Sequence, residues 1–131
     1  MDSTTDRRSV PLAAILVVIV GVIHVLSGMA AITASDSITA TAEVDDVLYG
    51  INVESWGWFW LVGGIAQLLT AIFLFARNPI AASAAVLGAA ANAMTTIFVL
   101  FAFPLWAITV LALEVAIIWK ITQNFDDFID D

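Results

Sequence analysis

The chain has 131 residues, of which 62% are hydrophobic and 12% charged, whereas soluble domains are roughly 45–50% apolar. Twelve acids and four bases are too few to cover a water-soluble domain of this size, so soluble classes are excluded. The net charge of −8 argues against a nucleic-acid partner, and the lack of cysteine removes disulfides, thiolate metal sites and cysteine redox chemistry.

Crossing a bilayer takes about 20 consecutive apolar residues, and four runs of that kind follow one another along the chain. The first reaches from Val10 to Thr33, behind Arg7 and Arg8. A removable signal sequence is the competing reading of residues 1–34, but the run exceeds the roughly 7–15 residues of a signal core. The second runs from about Ser55 to Ala76 and closes on Arg77-Asn78-Pro79. The third extends from Ile80 to about Ala102, and the fourth from Leu105, beside Pro104, to Thr122. Leu, Ala and Ile fill these runs without strand-like alternation, so helices are expected. Pro11, Pro79 and Pro104 fall at the starts of runs, where a missing N–H does no harm. The expected fold is all-α: a polytopic membrane protein, a single domain of four transmembrane helices in a compact bundle. Its spans lie at about 10–33, 55–76, 80–102 and 105–122, with a loop over 34–54 and an acidic tail over 123–131.

Alternating spans place Arg7, Arg8, Arg77 and Lys120 on one side, and the positive-inside rule then makes both termini cytoplasmic, in a multi-pass protein of the cell membrane. The opposite loop carries Asp36, Glu43, Asp45, Asp46 and Glu54 without a base. These acids lack the order of a calcium loop and read as solvated. Alternation at Val47, Tyr49, Ile51 and Val53 suggests a short extended stretch over the bundle. Trp56, Trp58, Phe59 and Trp60, with Phe101, Phe103 and Trp106, form an aromatic belt at the outer boundary. In the tail, Phe125, Phe128 and Ile129 share a helical face, yet four acids favour a frayed, solvated segment.

At about 1.5 Å per residue, His24, Gln67, Asn92 and Glu114 all fall roughly 13–17 Å below the outer boundary. Each helix thus contributes one strong polar side chain at one depth. Small residues flank three of them: Gly21, Ser27, Gly28 and Ala31 around His24, Gly63, Gly64, Thr70 and Ala71 around Gln67, and Ala85, Gly88 and Ala89 around Asn92. Such faces let helices approach and should look into the bundle. Glu114 sits instead among Ala107, Val110, Ile117, Ile118 and Ile121. One reading makes this layer interhelical glue, at about 0.6–2 kcal/mol per bond. The other makes Glu114, with His24, a proton- or cation-handling site, because an ionisable group at mid-membrane is costly. On that second reading His24 and Glu114 are expected within reach of one another, directly or through Asn92.

No nucleophile–base pair, phosphate loop or metal cluster is visible, so the chain is expected to be non-enzymatic and without cofactor or metal. A lone histidine does not supply the two ligands of a bis-ligated haem. The implied partners are the lipid bilayer and a second copy or a larger membrane complex.

Several motifs together resemble a family of small bacterial membrane proteins classed as a domain of unknown function. They are Trp56-Gly57-Trp58 with Gly64, Ala76-Arg77, Asn92, Phe103-Pro104-Leu105-Trp106-Ala107, Ala112-Leu113-Glu114-Val115 and Ile118-Trp119, over about residues 10–122. The resemblance implies four spans, an extended first outer loop and an acid in the last helix, with no established activity. This chain differs from the family pattern in having Phe103 before the proline, Trp60 where a polar residue is common, and His24 where glutamine is more frequent.

Overall fold

The computed structural model describes residues 9–35 and 52–129. Four helices follow in order: α1 (Ser9–Thr33), α2 (Val53–Phe75), α3 (Pro79–Phe98) and α4 (Pro104–Gln123), and a 3-10 turn covers Phe125–Phe128. Each of the four is long and apolar enough to cross a membrane. The acidic loop and most of the extended stretch expected over Val47–Val53 lie outside the described residues. Val53 itself is helical and opens α2.

Local chemistry sets the helix starts. Asn52 precedes α2 and its side chain accepts a hydrogen bond from the Ser55 N–H at 2.8 Å, occupying one of the free donors of the first turn. Asn78 does the same for α3, accepting from Ile80 and Ala81 at 2.8 and 3.3 Å, with Pro79 at the first helical position. α4 has no side-chain cap and relies on Pro104.

The third span was expected to reach Ala102, but α3 ends at Phe98. The chain tightens there: Val99, Leu100 and Ala102 donate to carbonyls only three residues back. Phe103 then takes an extended φ of −135°, because the ring of Pro104 disfavours a helical residue before it. At the other end of α3, Arg77 has a φ of 57°. Its N–H donates to Leu74 O, and Asn78 N–H reaches back to Phe73 O, the double closure of a left-handed helix stop. A left-handed residue with a side chain costs about 1 kcal/mol relative to glycine. Arg77→Gly is therefore expected to raise the thermal midpoint of the detergent-solubilised protein, and an unchanged or lower midpoint would show that the arginine side chain offsets this cost.

α1 packs most extensively on α2, and α3 on α4; the α1–α4 and α2–α3 seams are thinner and close the ring. The α1–α2 pair is antiparallel and joined through glycine. A Cβ placed on Gly28 would lie 2.6 Å from Gly57 O and Leu61 N, and one on Gly64 would lie 2.7 Å from Gly21 O and Val25 N. Only bare backbone allows these helices to come so close.

Two apolar cores result. One lies toward the Arg77 end, with Val17, Leu74, Ala85 and Ile117 among its members. The other lies at the tryptophan end and joins Ala31, Val53, Trp60 and Val99. Large apolar side chains such as Leu87, Phe101 and Leu105 point outward, as expected of a surface solvated by lipid tails.

The C-terminal segment corrects an expectation. Instead of fraying, residues 125–128 form the 3-10 turn, and Phe128, only 4% exposed, joins the core at the Arg77 end. Asn124 anchors the turn by donating to Lys120 O at 2.8 Å. The spacing of Phe125 and Phe128 carried the signal, and burial of the Phe128 ring outweighs the charge of Asp126 and Asp127, which remain at the surface or partly so.

Candidate functional site

Between the two apolar cores lies a layer of buried polar side chains: His24, Gln67, Thr96 and Glu114. α4 delivers Glu114 on the face that also buries Ala107, Val110, Ile117 and Ile121, so the carboxylate is carried inward by its aliphatic neighbours at helical spacing. Glu114 is 0% exposed. α2 delivers Gln67 on the face of Gly57, Gly64 and Ala71, and α1 delivers His24 between Gly21 and Gly28.

Gln67 joins the other two. His24 Nδ1 and Gln67 Oε1 are 2.8 Å apart, and Gln67 Nε2 donates to Glu114 Oε1 at 3.2 Å. An amide oxygen only accepts, so Nδ1 carries the proton in this bond. His24 and Glu114 are thus linked, but through Gln67 and not through Asn92 as expected. Asn92 reaches the layer from α3, half-buried, and interacts with the same carboxylate. Glu114 Oε2 nonetheless has no hydrogen-bond partner. Nothing in one sequence distinguishes the two amides as bridge candidates, because both stand at the same depth. The choice follows from the close α1–α2 seam, which holds Gln67 against His24.

The layer continues toward the tryptophan end. His24 and Trp106 meet edge to face, with ring centroids 6.0 Å apart, and the Trp106 indole N–H donates to Ser27 Oγ at 2.9 Å. Trp60 lies 4.8 Å from Trp106, and Trp56 lies 6.1 Å from Trp60. Of the expected boundary aromatics, Trp58 is exposed, whereas Trp60 is buried and Trp56 and Trp106 are half-buried. At the tryptophan end Trp60 thus turns into the bundle and packs on Trp106. Their burial is possible because Ser27, Ala30 and Ala31 leave room for indole rings beside α1. The Ser27–Trp106 bond was not foreseen; only the small residue on the His24 face pointed to it.

A family model described as a domain of unknown function, DUF7144, matches residues 9–125, which takes in all four helices and every member of the polar layer. The chain belongs to the DUF7144 family. No curated protein and no solved structure matches it significantly. Membership thus covers the helical frame and leaves the chemistry to be argued from the layer itself.

That chemistry is restricted. Among the described residues no group of three His, Cys, Asp or Glu side chains could hold a metal ion. The central Gln67 amide hydrogen-bonds on both sides, its Oε1 accepting and its Nε2 donating, and its nitrogen, with the lone pair delocalised into the carbonyl, is a donor only. As arranged, His24–Gln67–Glu114 connects three helices through two hydrogen bonds.

Proposed function

We propose that this integral membrane protein is a non-enzymatic accessory or structural component of the cell membrane, oriented with both termini in the cytoplasm. Its polar layer acts as a lock that fixes one arrangement of the four helices. The observation that carries this reading is the position of Gln67, bonded at once to His24 of α1 and Glu114 of α4. In a bilayer, apolar helix faces slide past one another at little cost, because lipid tails are as apolar as the faces they replace; a directional hydrogen bond selects one register. Partners then meet a rigid outer surface. The test is capture of bound proteins by the full chain after extraction from its native membrane in mild detergent. A stoichiometric membrane partner is expected, and recovery of the chain alone across several detergents would count against an accessory role.

A second reading assigns proton or cation exchange to Glu114, and its support is the buried Oε2 without a partner. Proteoliposomes holding the native chain or Glu114→Gln separate the two. The lock predicts equal, background flux in both at every pH, whereas exchange predicts flux that varies with pH and disappears in the variant.

A further inference from the structure

The seams of the bundle differ in what they leave between the helices. Between α1 and α2 glycine brings backbones together. Between α2 and α3 a Cβ on Gly88 would meet nothing within 4 Å, and one on Gly63 would meet only Asn92 Oδ1 at 3.9 Å. A slot of about 190 Å3 remains there, with no charged side chain on its walls. The thin α1–α4 seam leaves an open groove of about 330 Å3, and this one carries a charge.

Leu12 and Leu16 of α1 form one wall of the groove, and Ala116, Trp119, Lys120 and Gln123 of α4 form the other. Members of each set are three and four residues apart, so each set falls on one helix face. The groove is graded along the helix axes. Lys120 and Gln123 stand in the last turn of α4 and Leu12 in the first turn of α1, all at the ends of their spans. Leu16 and Ala116 lie about 10 Å nearer the membrane centre. A cation thus stands at headgroup level above apolar surface that descends into hydrocarbon.

Among the described residues no acid lines the groove, and the nearest positions on α4, Ala116, Ile117, Gln123 and Asn124, are uncharged. Asp126 and Asp127 follow in the 3-10 turn, which packs on α3 and supplies no residue to the groove. Trp119, 62% exposed, adds an indole of the kind that settles at the boundary of a bilayer. An apolar helix from another protein would leave the ammonium unpaired, and a second copy related by a two-fold axis through the groove would set two Lys120 side chains against each other. A phospholipid with a negative head matches both ends.

We propose that the α1–α4 groove is a binding site for an anionic phospholipid of the bilayer, its phosphate held by Lys120 and Gln123 and an acyl chain laid along Leu12, Leu16 and Ala116. The site goes beyond both functional readings and does not depend on which of them holds.

The test uses the full chain in mild detergent, stripped of lipid and titrated with dioleoyl phosphatidylglycerol or dioleoyl phosphatidylcholine, with bound lipid counted by mass spectrometry under non-denaturing conditions. The two lipids share their tails and differ in head charge. One phosphatidylglycerol is expected to bind about fivefold more tightly than phosphatidylcholine, the preference that a single lysine at headgroup level supplies. Lys120→Gln should bring the two lipids to equal affinity while the variant remains monodisperse, and Lys120→Arg should keep the preference. Arg77→Gln makes the same change in net charge at the α2–α3 turn, away from the groove, and should leave the preference intact. Ala116→Phe fills the apolar end and should weaken binding of phosphatidylglycerol. Glycerol phosphate in millimolar excess, a head without a chain, should not displace the lipid. Equal affinities in the native chain, a preference that survives Lys120→Gln, its loss in Arg77→Gln, undiminished binding by Ala116→Phe, or displacement by glycerol phosphate would overturn the proposal.

Discussion

Gly28→Leu is expected to abolish the folded bundle, giving aggregated or heterogeneous protein on size-exclusion chromatography in detergent. Even the single carbon of Gly28→Ala lies 2.6 Å from backbone atoms of Gly57 and Leu61. Backbone cannot rotate aside as a side chain can, so α1 and α2 must separate along their whole contact. Overpacking of this kind costs about 1–3 kcal/mol for small insertions, and separation also strains the His24–Gln67 bond one turn away. Gly28→Ala should therefore unfold at distinctly lower denaturant, while Gly88→Ala, with open space around it, should be neutral or stabilised by up to about 1 kcal/mol through helix propensity. Equal effects of the two alanine substitutions would refute the assignment of contact to one seam and space to the other.

Gln67→Leu has the second largest expected effect, about 2–4 kcal/mol of destabilisation, because one truncation leaves two buried partners unsatisfied. Interhelical hydrogen bonds in membranes average only about 0.6 kcal/mol when both partners can re-pair in the unfolded state. That lower figure does not apply when His24 Nδ1 and Glu114 Oε1 stay buried without an alternative. Glu114→Gln keeps an oxygen acceptor for Gln67 Nε2 and should cost less than about 1 kcal/mol. The double variant Gln67→Leu with Glu114→Leu removes one of the orphaned partners and should be more stable than the two single losses added together. Unfolding titrations in mixed micelles give all four values, and strict additivity would mean that Gln67 and Glu114 do not share the bond described here.

These two predictions concern different kinds of stabilisation, and the fold needs both. The glycine seam sets how closely α1 approaches α2, and that approach brings an imidazole and an amide within 2.8 Å. The amide in turn reaches α4, which is otherwise tied to α1 by a thin seam. Loss of the lock leaves a bundle with the same apolar surfaces and less reason to prefer one register.

Much of this protein is determined by its sequence alone. Hydrophobic runs of membrane-spanning length, ended by Asn-Pro and Phe-Pro, define four helices, because backbone groups in hydrocarbon must bond within their own segment. The common depth of His24, Gln67, Asn92 and Glu114 is likewise a matter of counting residues along a helix with fixed rise. Which of them touch is not. A helix face is some 100° wide, and the rotation that puts Gln67 rather than Asn92 between His24 and Glu114 depends on how Gly21, Gly28, Gly57 and Gly64 mesh. The same ambiguity applies to small residues. Gly64 and Gly63 are adjacent in the chain, yet one receives the backbone of α1 and the other lines an open slot, because neighbouring helical positions differ by about 100° in direction. The inward turn of Trp60 and the docking of Phe128 follow from the same cause. Composition and periodicity fixed what each helix carries and at what depth; only the packing of four helices against one another decided which side chains meet, which are left without a partner, and where space remains between them.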